Sequence, residues 1–309
     1  MMIDLSKSSI DFLKGKYVAF ITSIILILLS IGLFFLNGLN FGIDFKGGTL
    51  IEIETQNKIE ISQVRSSLNS LSLGDIQVQE FGSDKNLLIR IEQQQGGDQI
   101  QQNVLEIVKQ KLMNDISETI NFRRTEVVGP KVSGELIQSG TIAILVAVFA
   151  MLIYIWLRFE WQFSLGAVIA LLHDVILTIG VFCLTQLEFN LPIIAAILTI
   201  VGYSMNDTVV VYDRVRENLR KFRSKEITSL LNLSINETLS RTIVTSVTTL
   251  LALVSLYIFG GEVIKGFTFA MIWGVLVGTY SSIFVAAPLL TYLDVKREWN
   301  TTTAVDSTK

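Results

Sequence analysis

Six long apolar stretches that carry almost no charged residue dominate the pattern of the chain. Each is about 20 residues or longer, and at the helical rise of about 1.5 Å per residue such a stretch crosses the hydrocarbon core of a bilayer. Buried helices of a large soluble protein would be shorter and more amphipathic. The pattern therefore predicts six transmembrane helices, at 17–36, 136–157, 161–187, 189–212, 242–261 and 266–293.

The polar region 37–135, between the first and second apolar stretches, has a different periodicity. Ile51 and Ile53 alternate with glutamates, which is typical of a half-buried strand. Strand-like and helix-like patterns then follow in an order that predicts a ferredoxin-like α+β domain, strand–helix–strand–strand–helix–strand. Many functions use this fold, so the domain alone indicates none. The apolar positions that define the later elements are Val64 and Leu68, Ile76 and Val78, Ile89 and Ile91, Val104 and Val108, and the run 120–128.

The composition agrees with a membrane protein. Of the 309 residues, 50% are hydrophobic and 17% are charged, and the mean hydropathy is +0.53, an average that a soluble domain rarely has. The first apolar stretch is too long for a signal peptide, and 37–40 offers no cleavage pattern of small residues, so we expect it to be retained. Cys183 is the single cysteine, so one chain can form neither a disulfide nor a thiolate metal site.

The distribution of positive charge predicts the orientation in the membrane. The two short loops near 188 and 260–265 carry one basic residue, Lys265, whereas the segments on the other side are rich in lysine and arginine. Because basic loops stay inside the cell, both termini are predicted to be cytoplasmic and the α+β domain to lie on the far side of the membrane. The basic positions assigned to the inside are Lys7, Lys14, Lys16, Arg158, Arg214, Arg216, Arg220, Lys221, Arg223, Lys225, Arg241, Lys296, Arg297 and Lys309.

The predicted organisation has five parts. A cytoplasmic N-terminus, 1–16, precedes the first membrane helix, 17–36, and the external domain, 37–135. Membrane helices two to six occupy 136–293 and include a basic cytoplasmic segment at 213–241. The cytoplasmic tail at 294–309 completes a multi-pass membrane protein.

No nucleotide site, cofactor, enzymatic activity or nucleic-acid partner is expected. The run Lys46-Gly47-Gly48-Thr49 contains the residue types of a phosphate loop but lacks the order and spacing of G-x-x-x-x-G-K-[ST]. The membrane aspartates lack the G-x-G-D pattern of intramembrane proteases, and no G-x-S-x-G accompanies the histidine. If the protein performs work, the energy comes from a partner or from an ion gradient.

Polar residues interrupt the predicted membrane helices at three places. Charged residues at such depth cost about 2.5–3.5 kcal/mol each on insertion scales, so they usually face a protein interior and pair with another group. His173 and Asp174 lie near the middle of the third helix, and Asn206 and Asp207 lie towards the cytoplasmic end of the fourth. Arg241 begins the fifth helix.

Helical spacing places Arg241, Thr245 and Thr248 on one face of the fifth helix, and we expect that face to meet Asp207. A buried carboxylate whose cationic partner can move away is suited to carry a proton. The alternative is a static buried pair that only fixes the packing of the helices. The residues favour ion coupling by Asp207 and Arg241, with Asn206 beside them, and leave the static pair open.

The roles of His173 and Asp174 stay open between a proton relay and a structural, hydrogen-bonded pair. His173 is the single histidine, so a histidine-rich metal site is excluded and no metal is predicted. Asp213 and Arg214, which continue the fourth helix into the cytoplasm, have the same two interpretations.

Small residues recur every four positions along the sixth helix, and such spacing lets another helix approach closely. The sequence leaves open whether that neighbour belongs to the same bundle or to a partner. The positions are Ala270, Gly274, Gly278, Ser282 and Ala286.

Five motifs together identify a resemblance. They occur in one order along a chain with six predicted membrane helices and one external domain, and they resemble the SecF branch of the bacterial SecD/SecF protein-export family, a relative of the RND transporters. The motifs are FGIDFKGGT at 41–49, VGPKVS at 128–133, ALLHDV at 170–175, GYSMNDTVVVYDRVREN at 202–218 and NETLSRTIVTSVTT at 236–249.

The resemblance implies a function and a set of partners. Members of this branch pair with SecD, and the pair assists the SecYEG channel, with YajC, in moving unfolded polypeptides across the inner membrane. They use the proton motive force late in translocation, and the positions matching their ion-coupling residues are Asp207 and Arg241 here. The residues alone leave two alternatives open, an RND-type exporter of lipids or small molecules and a membrane scaffold in which Asp207→Asn would be harmless.

Overall fold

A computed structural model describes residues 10–94, 96, 98–116, 119–293 and 295. Most of the predicted cytoplasmic N-terminus, 1–16, and all but one residue of the tail, 294–309, therefore lie outside the described part of the chain. The helices in chain order are α1 (Lys16–Asn37), α2 (Ile43–Lys46), α3 (Ile61–Asn69), α4 (Asp98–Asp115), α5 (Pro130–Arg158), α6 (Trp161–Thr185), α7 (Leu191–Lys221), α8 (Ile227–Phe259) and α9 (Glu262–Ser281). The strands are β1 (Gly48–Glu54), β2 (Ile76–Phe81), β3 (Ser83–Ile91) and β4 (Asn121–Val128).

Six helices of the described residues are long and apolar enough to cross a membrane, and they are α1 and α5 to α9. The prediction of six such helices is confirmed. A π-helical turn, Ser282–Ala286, and a last helical turn, Ala287–Leu289, continue α9. In α6, α7 and α9 at least half of the most apolar 18-residue window is buried, against 11% in α1, α5 and α8. α6, α7 and α9 therefore form the centre of the bundle, and α1, α5 and α8 flank it.

Two of these helices are longer than a membrane crossing needs. α7 has 31 residues and α8 has 33, so the predicted basic segment 213–241 is a helical hairpin formed by the end of α7 and the start of α8. Asn218 joins its two arms, because its amide donates hydrogen bonds to Ser234 at 3.0 Å and to Glu237 at 2.7 Å. The apolar pattern placed the start of the fifth helix too late because this part of α8 packs on protein and carries polar residues.

The external domain has the predicted order of elements. Its sheet has the strand order β2-β3-β1-β4, and the adjacent strands are antiparallel. The helices α3 and α4 pack on one face of the sheet, and that face forms the core of the domain. Its largest fully buried members are Ile51, Ile53, Leu68, Leu87, Ile89, Ile91 and Leu112. The structure therefore confirms the ferredoxin-like arrangement. Since α5 already begins at Pro130, residues 130–135 of the predicted domain belong to the membrane helix.

The two glycines that follow α2 are required by the backbone. Gly47 and Gly48 have φ angles of +73° and +118°, in a region that residues with a side chain rarely adopt. A Cβ atom on Gly48 would also overlap the carbonyl oxygen of Ile91 on the neighbouring strand β3. The Gly-Gly pair thus allows β1 to enter the sheet directly after α2.

Gly48→Ala is expected to destabilise the external domain by about 1–3 kcal/mol, because alanine is strained at this φ angle and its methyl group meets a backbone atom that cannot turn away. Limited proteolysis of the purified full chain measures this as faster cleavage within the domain. Gly134→Ala is the matched control, since a Cβ there meets nothing within 4 Å. Equal cleavage rates for the two variants would contradict the assignment.

The small residues of α9 form the seam with α7 of the same chain. A Cβ on Gly274 would overlap Ile200, and a Cβ on Gly278 would lie 3.0 Å from the Cβ of Ser204. Ala270 is fully buried in the same contact region. Ser282, one turn further on, forms a hydrogen bond of 3.0 Å with Thr208 of α7. The helix that approaches the small residues of α9 is therefore α7 of the same chain.

Candidate ion-coupling site

Asp207 lies in the middle of the bundle and keeps part of its hydrogen-bonding capacity unused. Its side chain, on α7, is buried, with 7% of the residue surface exposed. Oδ1 accepts a hydrogen bond of 2.6 Å from Thr242 Oγ1 of α8. Oδ2 is buried and has no hydrogen-bond partner within 3.5 Å among the described residues, and the hydroxyl of Ser282 also faces the carboxylate. Nε2 of His173 is in the same state among the described residues, so an atom of this kind marks a candidate site and does not by itself assign a role.

The predicted face of α8 is not the one that meets Asp207. Arg241 is exposed and makes no hydrogen bond to Asp207 in the described part of the chain. Thr245 and Thr248, on the same face, donate to carbonyl groups of their own helix at 3.0 and 2.8 Å. Successive helical residues point about 100° apart, so Thr242 faces α7 while Arg241 points past it. We expected the face of α8 that carries Arg241 to meet Asp207. That expectation is wrong, because Thr242, the next residue, makes the contact.

The contact of α8 with the rest of the bundle continues one helical turn beyond Thr242. Ser246, one turn after Thr242, forms a hydrogen bond of 2.7 Å with Thr279 of α9. Tyr203 of α7 donates a longer hydrogen bond, of 3.4 Å, to the same hydroxyl. Thr242 and Ser246 thus hold α8 against both α7 and α9 at the depth of Asp207.

A polar surface faces outward beside this contact. Asn206 is exposed on α7, and Arg241, Thr245 and Thr248 are exposed on α8. Polar side chains that face hydrocarbon are costly, and most polar groups at membrane depth lie against protein or water. We call these four residues the outer polar face. Asn206 and the guanidinium group of Arg241 are the members that would be costly against lipid, since the threonine hydroxyls are satisfied by their own helix.

Asp174 differs from Asp207 because both of its oxygens are fully engaged. It is completely buried on α6, and Oδ1 lies 2.8 Å from His173 Nδ1. Oδ2 accepts hydrogen bonds from Ser204 of α7 and, at 2.8 Å, from Ser281 of α9. The carboxylate therefore joins the three central helices, and its acceptor sites are occupied.

His173 extends the same cluster to α1. Its ring, 1% exposed, stacks on Tyr280 with the ring centroids 6.0 Å apart. The hydroxyl of Tyr280 donates to the carbonyl oxygen of Ala19 at 3.1 Å and lies 3.2 Å from Ser23 Oγ. The sequence analysis missed Tyr280, Ser204 and Ser281, whose signal is a polar residue within an apolar helical stretch.

The two aspartates are connected through one turn of α9. Ser281 donates to Asp174, and the next residue, Ser282, bonds Thr208, which follows Asp207 on α7. The π-helical turn begins at Ser282, and π-turns are often found at functional sites. Pro288 follows the turn and has no N–H group to donate to the preceding turn of the helix. The turn could not be predicted from apolar periodicity, although Pro288 marks an irregular helix end.

Asp213 and Arg214 lie on the polar extension of α7 that leads into the helical hairpin, away from this cluster. Asp213 pairs with Arg158 of α5 at 2.7 Å, and both side chains are more than 40% exposed. Arg214 pairs with Glu217 at 2.8 Å and with Glu237 of α8 at 3.5 Å. Exposed ion pairs of this kind contribute about 0–1 kcal/mol to stability. Their positions fit a role in holding the end of α7 against α5 and α8.

Comparison with known families gives two matches that together cover most of the chain. Residues 108–296 match the family described as protein export membrane protein SecD/SecF, C-terminal. Residues 32–59, which include the Gly-Gly pair, match the SecD/SecF GG motif. The first match alone covers more than half of the sequence.

Curated relatives of similar length carry one name. The protein translocase subunit SecF of Rickettsia bellii (strain OSU 85-389) is 48% identical over 292 residues, which is 94% of this chain and 96% of the relative. The protein of the same name from Cereibacter sphaeroides is 48% identical over 297 residues, 94% of this chain and 91% of the relative.

Solved structures agree with the family matches. The crystal structure of SecDF from Thermus thermophilus, a translocon-associated membrane protein, superposes with a TM-score of 0.84 at 33% identity. The match covers 94% of this chain but 39% of that longer chain. A second SecDF structure, described as the super-membrane-facing form, matches over the same share at the same identity with a TM-score of 0.69. The two SecDF structures therefore differ in shape.

Proposed function

Because this chain belongs to the SecD/SecF family of protein-export membrane proteins, we propose that it is the SecF subunit of a proton-driven export complex. In this proposal it pairs with SecD and assists the SecYEG channel, with YajC, at a late stage of translocation. The moving substrate is an unfolded polypeptide that crosses the bacterial inner membrane. Both termini are cytoplasmic, and the ferredoxin-like domain is periplasmic.

The observation that carries the proposal is the buried carboxylate oxygen of Asp207 that has no hydrogen-bond partner among the described residues. A group that binds and releases protons needs an oxygen that is free to receive one, and Oδ2 meets that need. Thr242 donates a hydrogen bond of 2.6 Å to the other oxygen, and Arg241, the residue before it on α8, places a positive charge on the neighbouring face of that helix. Protonation of Asp207 would remove its negative charge, weaken its hold on α8 and allow α7 and α8 to shift.

The energy available from such a step is sufficient to move a domain. Moving one elementary charge through 100 mV is worth about 2.3 kcal/mol. A bias of that size changes the ratio of two conformations by a factor of about 50. Asp207 and Arg241 lie on the two longest helices of the bundle, α7 and α8, so a shift at the site would reach both sides of the membrane.

The outer polar face supports a second membrane subunit as partner. Asn206, Arg241, Thr245 and Thr248 are exposed at membrane depth, where contact with lipid is costly. In this proposal the membrane helices of SecD cover that face and complete the ion path. The SecDF chain of known structure, of which this chain matches 39%, is long enough to contain such a second half.

Complementation tests the proposed function. The chain and its own SecD are expressed in cells that lack the native SecF subunit, and the export rate of a secreted precursor is measured together with co-purification of SecD. We expect restored export when both subunits are present. Normal tolerance of toxic small molecules without restored export would instead favour the RND-type exporter, and failure of SecD to co-purify would contradict the partner assignment.

A further inference from the structure

We propose that a contact between residues 40–44, where the chain enters the external domain, and the loop joining α6 to α7 is the mechanical link by which movement of α7 reaches the domain. We call this contact the junction; it comprises residues 40–44 and Arg90 on the domain side and residues 188–191 on the membrane side. The inference deepens the proposed function and rests on it. It assigns Asp44, Arg90 and Glu188 as residues that position the domain.

The junction holds the outer end of the helix that carries Asp207. The first backbone N–H group of α7, at Leu191, donates to Asp44 Oδ2 at 2.9 Å. This group has no partner within its own helix, and a negative charge at a helix N-terminus is stabilising. The domain therefore supplies the acceptor that completes α7.

Backbone pairing attaches the same loop directly to the domain segment. Gly42 N donates to Phe189 O at 2.9 Å, and Phe189 N donates to Asn40 O at 2.8 Å. The ring of Phe189 packs between the domain and the membrane bundle, with Phe41 and Phe45 on one side and Phe182 of α6 on the other, all with centroids about 6 Å away. A movement of the loop would carry residues 40–45 with it.

A partly buried ion pair adds a third connection. Arg90 of β3, in the middle of the sheet, pairs with Glu188 of the loop, and their side chains are 13% and 23% exposed. Burial raises the pKa of Glu188, while the charges of Arg90 and Arg124 lower it and that of Asp44 raises it again. The carboxylate also packs on Gly42, where an added Cβ would overlap it. This overlap involves the end of a flexible side chain, so the contact adds to the packing of the loop on the domain without requiring a glycine.

The short loop and the continuous helix α7 can transmit a movement because neither has much length in which to bend. Five residues, 186–190, separate α6 from α7, so this loop has little length in which to absorb a displacement. Asp207 lies 16 residues from Leu191 on one continuous helix, which is about 24 Å. Beside the junction, a cavity of about 500 Å³ separates the outer face of the sheet from the membrane loops and leaves room for the domain to tilt.

The test removes the ion pair of the junction and compares it with a matched ion pair elsewhere on the same sheet. The junction variant is Arg90→Ala/Glu188→Ala. The control is Arg123→Ala/Glu54→Ala, which removes an exposed Arg–Glu pair of 2.9 Å between β4 and β1. Each variant is purified with SecD, and two quantities are measured: export of a precursor in cells, and proton uptake by vesicles containing the complex.

The junction variant is expected to lose export at least about tenfold while its proton uptake stays within about twofold of wild type, since Asp207 is intact but no longer moves the domain. The control is expected to keep both quantities. Normal export by the junction variant, or a parallel loss of export and proton uptake, would overturn the inference. If the proposed function itself were wrong, Asp207→Asn would change neither quantity, which is a different result.

Exchanging the two charges distinguishes the loss of the ion pair from a failure of the variant to fold. Arg90→Glu alone places two carboxylates together and is expected to abolish export. Arg90→Glu/Glu188→Arg restores an ion pair at the same place and is expected to recover at least about half of the wild-type rate. Absence of any recovery in a folded complex would contradict a role for this pair in transmission.

Discussion

Asp207→Asn is expected to reduce export of a secreted precursor to the level of cells that lack the subunit, while the complex with SecD stays intact. Asparagine has nearly the same shape as aspartate and can still accept the hydrogen bond from Thr242, so the packing of α7 against α8 is preserved. It cannot bind and release a proton at Oδ2. The export rate and the yield of the purified complex together measure this effect.

Asp213→Asn is the matched control for this prediction. Asp213 is an aspartate on the same helix, but it is exposed and paired with Arg158 at the end of α5. Its loss removes an interaction worth about 0–1 kcal/mol, and export is expected to stay within about twofold of wild type. Normal export by the Asp207→Asn variant would show that this carboxylate is a packing residue and would contradict the ion-coupling account.

Asp174→Ala is expected to prevent assembly of a stable bundle. The substitution removes the acceptor for His173 Nδ1 and for the hydroxyl groups of Ser204 and Ser281, all of which are buried. Removing one partner of a buried charged network costs about 3–5 kcal/mol, a large part of the stability of a typical domain. Thermal unfolding of the solubilised complex, followed by size-exclusion chromatography, measures the loss.

Asp174→Asn separates the two interpretations of this residue. We propose that Asp174 is structural, because both of its oxygens already accept hydrogen bonds whereas Asp207 keeps one oxygen free. The asparagine variant retains one acceptor oxygen, so it is expected to fold in reduced amount and to support near-normal export per folded complex. A variant that folds like wild type but does not export would instead establish the proton relay.

Much of the fold could be predicted from the sequence because it depends on patterns that are local in the chain. Apolar runs of membrane length gave the six helices, and alternation at Ile51 and Ile53 with helical spacing at Val64 and Leu68 gave the ferredoxin-like order. Residues 213–218 were predicted as a continuation of the fourth helix, but the pairing of that extension with the start of α8 in a helical hairpin was not predicted. Hydropathy does not report where a helix ends once it leaves the bilayer.

The site could be predicted in its residues but not in its contacts. Spacing shows that Arg241 and Thr245 share a face, but it does not show which face of α8 turns inward. That rotation depends on packing between distant parts of the chain, such as Thr242 against α7 and Ser246 against α9. The contact with Asp207 is therefore made by Thr242 and not by Arg241, one residue before it. The sequence alone does not show which side of α8 faces α7.

The junction shows the same limit for residues that look unremarkable in the sequence. Asp44 lies in the motif that carries the resemblance, but nothing in its spacing indicates that it completes a helix about 150 residues later in the chain. Glu188 is a single charge in a short loop. Their importance follows from the contacts that they make in three dimensions.

Export in a reconstituted system with an imposed pH gradient tests the central claim most directly. Vesicles containing SecYEG, SecD and this chain are compared with vesicles that contain the Asp207→Asn variant, and the rate at which a precursor is released on the periplasmic side is measured with and without the gradient. We predict that the gradient accelerates release by the wild-type complex and has no effect on the variant. Equal acceleration in both would contradict the claim that Asp207 couples the gradient to protein export.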